Sequence, residues 1–146
     1  MKNRSMNGWQ ECYRGLVFPL HCDHLDHANN RWYAHFFDDA IMAFWSQNGL
    51  IESTFEKKLG CVAVQVKTEI EFHHELKAGD QFVVHAAFTR TGAKSITCMA
   101  KLTNAETGIM CAAYTGICVF LDRETGKSVA IPGQVREIIE KVLVPE

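Results

Sequence analysis

The feature that most constrains this chain is one helix with an unusually broad apolar face. From Asn29 or Asn30, either of which serves as an N-cap, the residues read as helix until Asn48 and Gly49 supply a stop. Tyr33, Phe36, Phe37, Ala40, Ile41, Phe44 and Trp45 recur at helical spacing, while Arg31, His35, Asp38, Asp39, Ser46 and Gln47 fall mainly on one polar stripe. A face this wide needs more cover than one partner helix, so the rest of the chain must supply a surface that wraps it.

The remaining periodicity is that of strands. Val62, Val64, Val66, Thr68, Ile70 and Phe72 alternate with Ala63, Gln65, Lys67, Glu69 and Glu71, and three further strand-like runs cover Gln81 to Arg90, Lys94 to Thr103 and Gly108 to Leu121. Lys77–Asp80 reads as a turn. Glycines at Gly92, Gly108 and Gly126 stand where hairpins want positive φ, which predicts an antiparallel meander. Upstream, Leu16 to Leu20 reads as a first strand, with Pro19 marking its end or a sheet edge. Ile51 to Lys58 reads as a short helix, and Pro132 opens a terminal one carrying Val135, Ile138, Ile139 and Val142 on one side. A long helix between one strand and four others is most simply buried by curling one sheet around it. The expected class is therefore α+β with the hotdog fold, a central helix wrapped by a curved antiparallel sheet of about five strands. The last long strand is apolar on both faces, which predicts a subunit interface and a homodimer or homotetramer.

At 146 residues the chain has the size of one domain, and no Pro-, Gly- or Ser-rich linker or internal repeat divides it. A net charge of -2 gives no basic field, which argues against nucleic acid or an anionic membrane as partner. No run approaches membrane-spanning length and residues 1–12 lack the apolar stretch of a signal peptide, so a cytoplasmic location is expected. The six cysteines form no C-x-x-C pair, and four sit in strand-like apolar runs, consistent with small buried thiols.

The chemistry concentrates in His21-Cys22-Asp23-His24-Leu25-Asp26-His27-Ala28-Asn29-Asn30-Arg31-Trp32-Tyr33. Asp, His and Asn favour turns and caps, yet three His and two Asp within seven residues, next to a helix start, also suit a reactive centre. Thioester hydrolysis needs a group that attacks the carbonyl or activates water, and donors where the oxyanion develops. Asp23 fits the first requirement by either route, direct attack or general base. The backbone N–H of Asn30, at the positive end of the helix, fits the second. His27 orients substrate or water, or is a structural His bonded to backbone. Asn29 is first a cap, and Tyr33 first a core residue. His73 and His74 either line the pocket or end a strand.

The same segment resembles the D-x-x-G-H-V-N-N-x-x-Y stretch of the 4-hydroxybenzoyl-CoA thioesterase-like branch of the hotdog superfamily. Asp23, His27, Asn29, Asn30 and Tyr33 occupy the matching positions. Thr68 to His74 with Lys77–Asp80 is similar to the family's strand and Gly-Asp turn, and Gly92-Ala93-Lys94-Ser95 to its G-x-x-S hairpin. The resemblance spans about residues 16–121 and implies an acyl-CoA thioesterase with no metal or cofactor. Asp23 is then catalytic and Asn30 the oxyanion donor; Lys94 and Ser95 either meet the phosphates or pantetheine of CoA, or Lys94 is simply a solvated hairpin lysine. Two positions depart: Asp26 stands where the family has Gly, and His21 where many members have an acid. Three other functions remain: a metallohydrolase using His21, Asp23, His24 and His27; a hotdog hydratase or dehydratase using His35 with Asp38 or Asp39; and a non-catalytic acyl-CoA sensor.

Overall fold

The structure, a computed structural model, describes residues 5–6, 8–50 and 58–145. Its strands are β1 (Ser5–Met6), β2 (Trp9–Leu16), β3 (Cys61–Phe72), β4 (Gln81–Thr91), β5 (Ser95–Asn104) and β6 (Met110–Asp122), with helices α1 (Asn30–Gln47) and α2 (Gly133–Lys141). All pairings are antiparallel, in the order β1-β2-β4-β5-β6-β3. The curved sheet wraps α1, which is the hotdog architecture expected from the periodicity.

Asn29 caps α1 by accepting the Arg31 N–H at 3.2 Å, and Asn48 closes it. The helix buries Tyr33, Phe36, Phe37, Ala40 and Phe44. Opposite them, the inner sheet face presents Phe82, Val84, Ala86 and Phe88 from β4 and Ile96, Cys98, Ala100 and Leu102 from β5. Ring contacts fix the helix on the sheet: Phe44 meets Phe88 at 4.6 Å, Phe36 meets Phe82 at 4.7 Å, and Phe37 stacks on Tyr114 at 5.2 Å. Each fully buried Phe contributes about 1.5–3 kcal/mol of transfer free energy, so this aromatic seam is a main source of cohesion. Tyr114 lies back over Gly116, where any Cβ would overlap its hydroxyl and come within 2.7 Å of its Cζ.

Three expectations change. The first strand is Trp9–Leu16, and Pro19–His21 instead forms a 3-10 turn with Phe18 as its N-cap. Among the described residues the sheet beyond β2 continues only as the two-residue β1, and an edge tolerates the polar Gln10, Glu11 and Arg14 that masked the strand in the sequence. Next, β3 is not a meander neighbour of β4; it pairs with β6 at the opposite side of the sheet. Residues 73–80 therefore cross the end of the sheet instead of closing a hairpin. Finally, Gly108 and Gly126 have the expected positive φ of 76° and 70°, but Gly92 does not. A Cβ at Gly92 would sit 2.8 Å from the Ser95 Oγ, a contact that rotation of the serine side chain can relieve. The helix expected over 51–58 lies almost wholly outside the described residues. Downstream, α2 buries Val135 and Ile139 as its spacing required.

None of the six cysteines is joined in a disulfide. Burial pushes the thiols of Cys12 and Cys118 up to about 12 and about 11 and also raises Cys98, which leaves these groups as inert packing atoms. No helix among the described residues is long and apolar enough to cross a membrane.

Candidate functional site

The crossing segment builds the site. As it runs from β3 to β4, the Leu76 carbonyl accepts the Ala28 N–H at 2.8 Å and the Asp80 carbonyl accepts the Val17 N–H at 2.9 Å. These bonds press residues 73–76 against the start of α1. A cavity of about 260 Å³ opens there, lined by His27, Ala28, Asn30, Tyr33, Phe72, His73, His74 and Glu75. Five residues singled out in the sequence thus meet on one cavity wall: His27, Asn30, Tyr33, His73 and His74.

Asp23 is not among the residues that line this cavity; it stands at the head of a tight loop that leads into His27 and Asn30, which are. Its Oδ1 accepts the Leu25 N–H at 2.9 Å, and its Oδ2 accepts the Asn29 Nδ2–H at 3.0 Å. The loop closes when the Asp26 N–H donates to the Asp23 carbonyl and the Asp23 N–H to the His27 carbonyl, each at 3.0 Å. The Leu25 N–H leads the effects that hold the Asp23 carboxyl below the usual carboxylate range, with Asn29, His24 and the His27 N–H acting the same way against a desolvation penalty. The group is an anion at neutral pH. Asn29 is bifunctional: one amide atom caps α1 and the other fixes the carboxylate.

Asp26 explains how the loop survives without the family's Gly. Its φ is 61°, the left-handed region, and it is the one described non-glycine residue with positive φ. Asp tolerates this conformation better than most side chains because its short polar group bonds locally. The turn geometry is kept at a conformational cost on the order of 1 kcal/mol.

His21 is structural. It is 8% exposed, and its ring packs 4.6 Å from Trp32 and 5.0 Å from Phe36. Its Nδ1 accepts the Phe18 N–H at 2.9 Å, which requires the proton on Nε2, and burial pushes its pKa down. His24 is exposed. Among the described residues, no three His, Cys, Asp or Glu side chains converge as metal ligands. His35 and Asp39 approach at 3.4 Å on the solvent side of α1, each about half exposed and away from the cavity.

Tyr33 is both core and wall. It is 3% exposed, its hydroxyl takes a hydrogen bond from the Leu76 N–H, and burial pushes its pKa up to about 12. Glu75 escaped the sequence reading. Its Oε2 lies 2.7 Å from the His27 Nε2, while the His74 Nδ1 lies 3.0 Å from its carbonyl. No local signal links residues 27 and 75; only the crossing does. Lys94 and Ser95 fall elsewhere. Ser95 begins β5 where β4 ends and Lys94 stands just before it, so at about 3.3 Å per residue they lie roughly 30 Å along the sheet from Gln81. There the Lys94 Nζ bonds the Ser128 Oγ at 3.2 Å. Within one chain they do not join the cavity.

A family model described as the thioesterase-like superfamily matches residues 17–139. Among solved structures, the chain is similar to a thioesterase superfamily protein from Jannaschia sp., with 25% identity and a TM-score of 0.81 over 90% of this chain and 92% of that one. It is also similar to a probable thioesterase from Escherichia coli, with 22% identity and a TM-score of 0.77 over 90% and 98%. A Staphylococcus aureus protein solved in complex with CoA has 19% identity and a TM-score of 0.82 over 92% and 84%. No curated protein sequence matches.

Proposed function

The chain belongs to the thioesterase-like superfamily, and from that premise we propose that it hydrolyses an acyl-CoA thioester to a free acid and CoA. The observation that carries this reading is an ionised Asp23 held by the N-cap residue of α1, one residue ahead of the Asn30 N–H at the cavity wall. The thioester carbonyl lies against that N–H, which belongs to the helix's unpaired first-turn donors and stabilises the developing oxyanion. Asp23 either attacks the carbonyl carbon or takes a proton from the attacking water. By direct attack the C–S bond breaks as an Asp23–acyl anhydride forms, CoA leaves as a thiolate that takes a proton from water, and a second water hydrolyses the anhydride to the free acid. By the general-base route the proton that Asp23 takes from water passes to the sulfur as the C–S bond breaks. Similarity to a protein solved with CoA supports CoA as the carrier, and the half-exposed apolar outer face of β6, with Ile117, Val119 and Leu121, supports a homodimer or homotetramer.

His27 orients the substrate or water, and Glu75 is its positioning residue. A pair this exposed is worth at most about 1 kcal/mol, so Glu75→Gln is expected to lower kcat by at most about fivefold with KM unchanged. A change in KM alone would assign Glu75 to binding instead. His73, with its Nε2 3.3 Å from Glu71, and His74 contribute polar contacts at the cavity mouth.

The test follows loss of thioester absorbance on short, medium, long and aromatic acyl-CoAs, with EDTA in parallel. Hydrolysis that survives EDTA is the expected result. Binding without turnover would replace the hydrolase with an acyl-CoA sensor, and loss of activity in EDTA would restore the metal-dependent alternative. Appearance of an enoyl or hydroxyacyl thioester would favour the hydratase, although the solvent-facing His35 and Asp39 give it no support.

A further inference from the structure

We infer that His21 is a positioning residue for Asp23, holding the Asp23 loop on α1 only while its imidazole is neutral, so that acid releases the loop; the effect on turnover rests on the acyl-CoA reading above. His21 is the one buried side chain between Phe18 and His27, whereas Phe18, Leu20 and Leu25 are half or more exposed. Ahead of Ala28 the loop therefore has a single side-chain anchor in the core, and that anchor titrates. Its ring lies against Trp32 and Phe36, in the first two turns of α1. Its carbonyl accepts the N–H of Asn29, whose side chain fixes the Asp23 carboxylate.

A proton undoes the anchor. Nδ1 accepts the Phe18 N–H at 2.9 Å, and a protonated imidazole has two donors and no acceptor. Two N–H groups would then face each other at that distance, and one must withdraw. The rings of Trp32 and Phe36 attract a cationic imidazole, yet they leave the two donors opposed. Trp32 offers no acceptor either, since its Nε1 is itself a buried donor without a partner.

The surrounding charges do not stabilise the cation. Burial, and then the like charge of His35 on α1, push the His21 pKa down. The other groups around the ring are engaged elsewhere or exposed. On α1, Arg31 is exposed, and Asp39 meets His35 at 3.4 Å and the Tyr13 hydroxyl of β2. In the loop, the Asp23 carboxylate is turned to Leu25 and Asn29, the Cys22 Sγ to the Phe18 carbonyl, and His24 and Asp26 are exposed. In the crossing segment, Glu75 pairs with His27, and the Asp80 carboxylate accepts the Lys77 N–H. The held loop thus binds the proton more weakly than the released one, and release grows as pH falls below about 6.5, the ordinary value for His.

The experiment follows amide hydrogen exchange by NMR on the full chain from about pH 8 to about pH 5, with protection referred to the free-chain rate at each pH. In the wild type, protection of the Phe18, Asp23 and Asn29 N–H groups is expected to fall about tenfold, the worth of one lost buried hydrogen bond. The midpoint should match the titration of the His21 imidazole, while the amides of β5, paired on both sides, keep their protection. In His21→Asn the side-chain oxygen is an acceptor that does not titrate, and the fall disappears. If circular dichroism shows that variant unfolded, His21→Asp is read in its place, and the match of midpoints in the wild type decides if neither folds. No fall in the wild type, a fall that persists in the variant, or an equal fall in β5 would each overturn the assignment. Turnover is expected to drop over the same range in the wild type and to drop less in His21→Asn. His27, His73 and His74 remain in both proteins, so the difference belongs to position 21, and equal profiles would remove the positioning role. Acid release in a protein that hydrolyses none of the acyl-CoA panel would sink the hydrolase reading and leave the loop device standing.

Discussion

Asp23→Asn is expected to lower turnover on the preferred acyl-CoA by about 10² to 10⁴, the usual contribution of a positioned acid–base or nucleophilic group. Thermal unfolding should change little, because the asparagine Oδ1 still accepts the Leu25 N–H that now meets the carboxylate at 2.9 Å. What is lost is the negative charge and the acceptor for the Asn29 amide. Retained binding of S-alkyl-CoA would show that the cavity survives and that the loss is chemical. The pH dependence gives a second reading. Hydrogen bonding holds this carboxyl below its ordinary value, so in the folded protein it stays ionised as pH falls through the range where a free Asp titrates. The acid limb due to Asp23 should therefore lie below pH about 4, the ordinary value for Asp. Wild-type turnover in Asp23→Asn would remove Asp23 from the mechanism.

Gly116→Ala is expected to destabilise the fold by about 2–3 kcal/mol, near the upper end for overpacking a core. The new methyl group would overlap the Tyr114 hydroxyl. Tyr114 has little room to move: Phe37 stacks on it at 5.2 Å, and its hydroxyl is bonded by the Gln65 amide at 2.6 Å. For a domain of this size the melting temperature should fall by roughly 5–10 °C. The cause can be isolated with Tyr114→Leu. If the clash is responsible, the double variant loses much less stability than the two single losses summed, and denaturant titration of the four proteins gives the coupling. Additive losses would place the cost of Gly116→Ala elsewhere.

Legibility in the sequence followed the range of the interactions. The α1 boundaries were readable because Asn29 and Asn48 act on neighbouring backbone groups, and the apolar face because Tyr33, Phe36, Phe37, Ala40 and Phe44 share one period. The Asp23–Asn30 loop was readable for the same reason: its hydrogen bonds close within the segment. By contrast, β2 carries Gln10, Glu11 and Arg14 and draws its order from β4, so its own residues announced no strand. The position of β3 was misread because Lys77–Asp80 has the chemistry of a hairpin turn, with Gly79 at φ 94° and the Lys77 N–H on the Asp80 carboxylate, although the segment crosses to another part of the sheet. Glu75 was invisible until that crossing set it beside His27. Lys94 and Ser95 could be named from a motif, but only the register of β4 with β5 reveals how far they lie from the cavity.

The strand order also governs how the chain can assemble. The central hairpins β4–β5 and β5–β6 join residues close in sequence, such as Thr91 with Ile96 and Thr103 with Met110. The outer pairings reach much further: Leu16 finds Gln81, and Cys61 finds Asp122. Closing the longer loops costs more chain entropy before any contact is gained, and high contact order slows folding. The central hairpins are thus the cheapest nucleus, while β2 and β3 dock afterwards from opposite flanks. The cavity needs β3, the crossing segment and α1 together, so it forms among the last features of the native state, and a chain halted earlier would hold a sheet but no site.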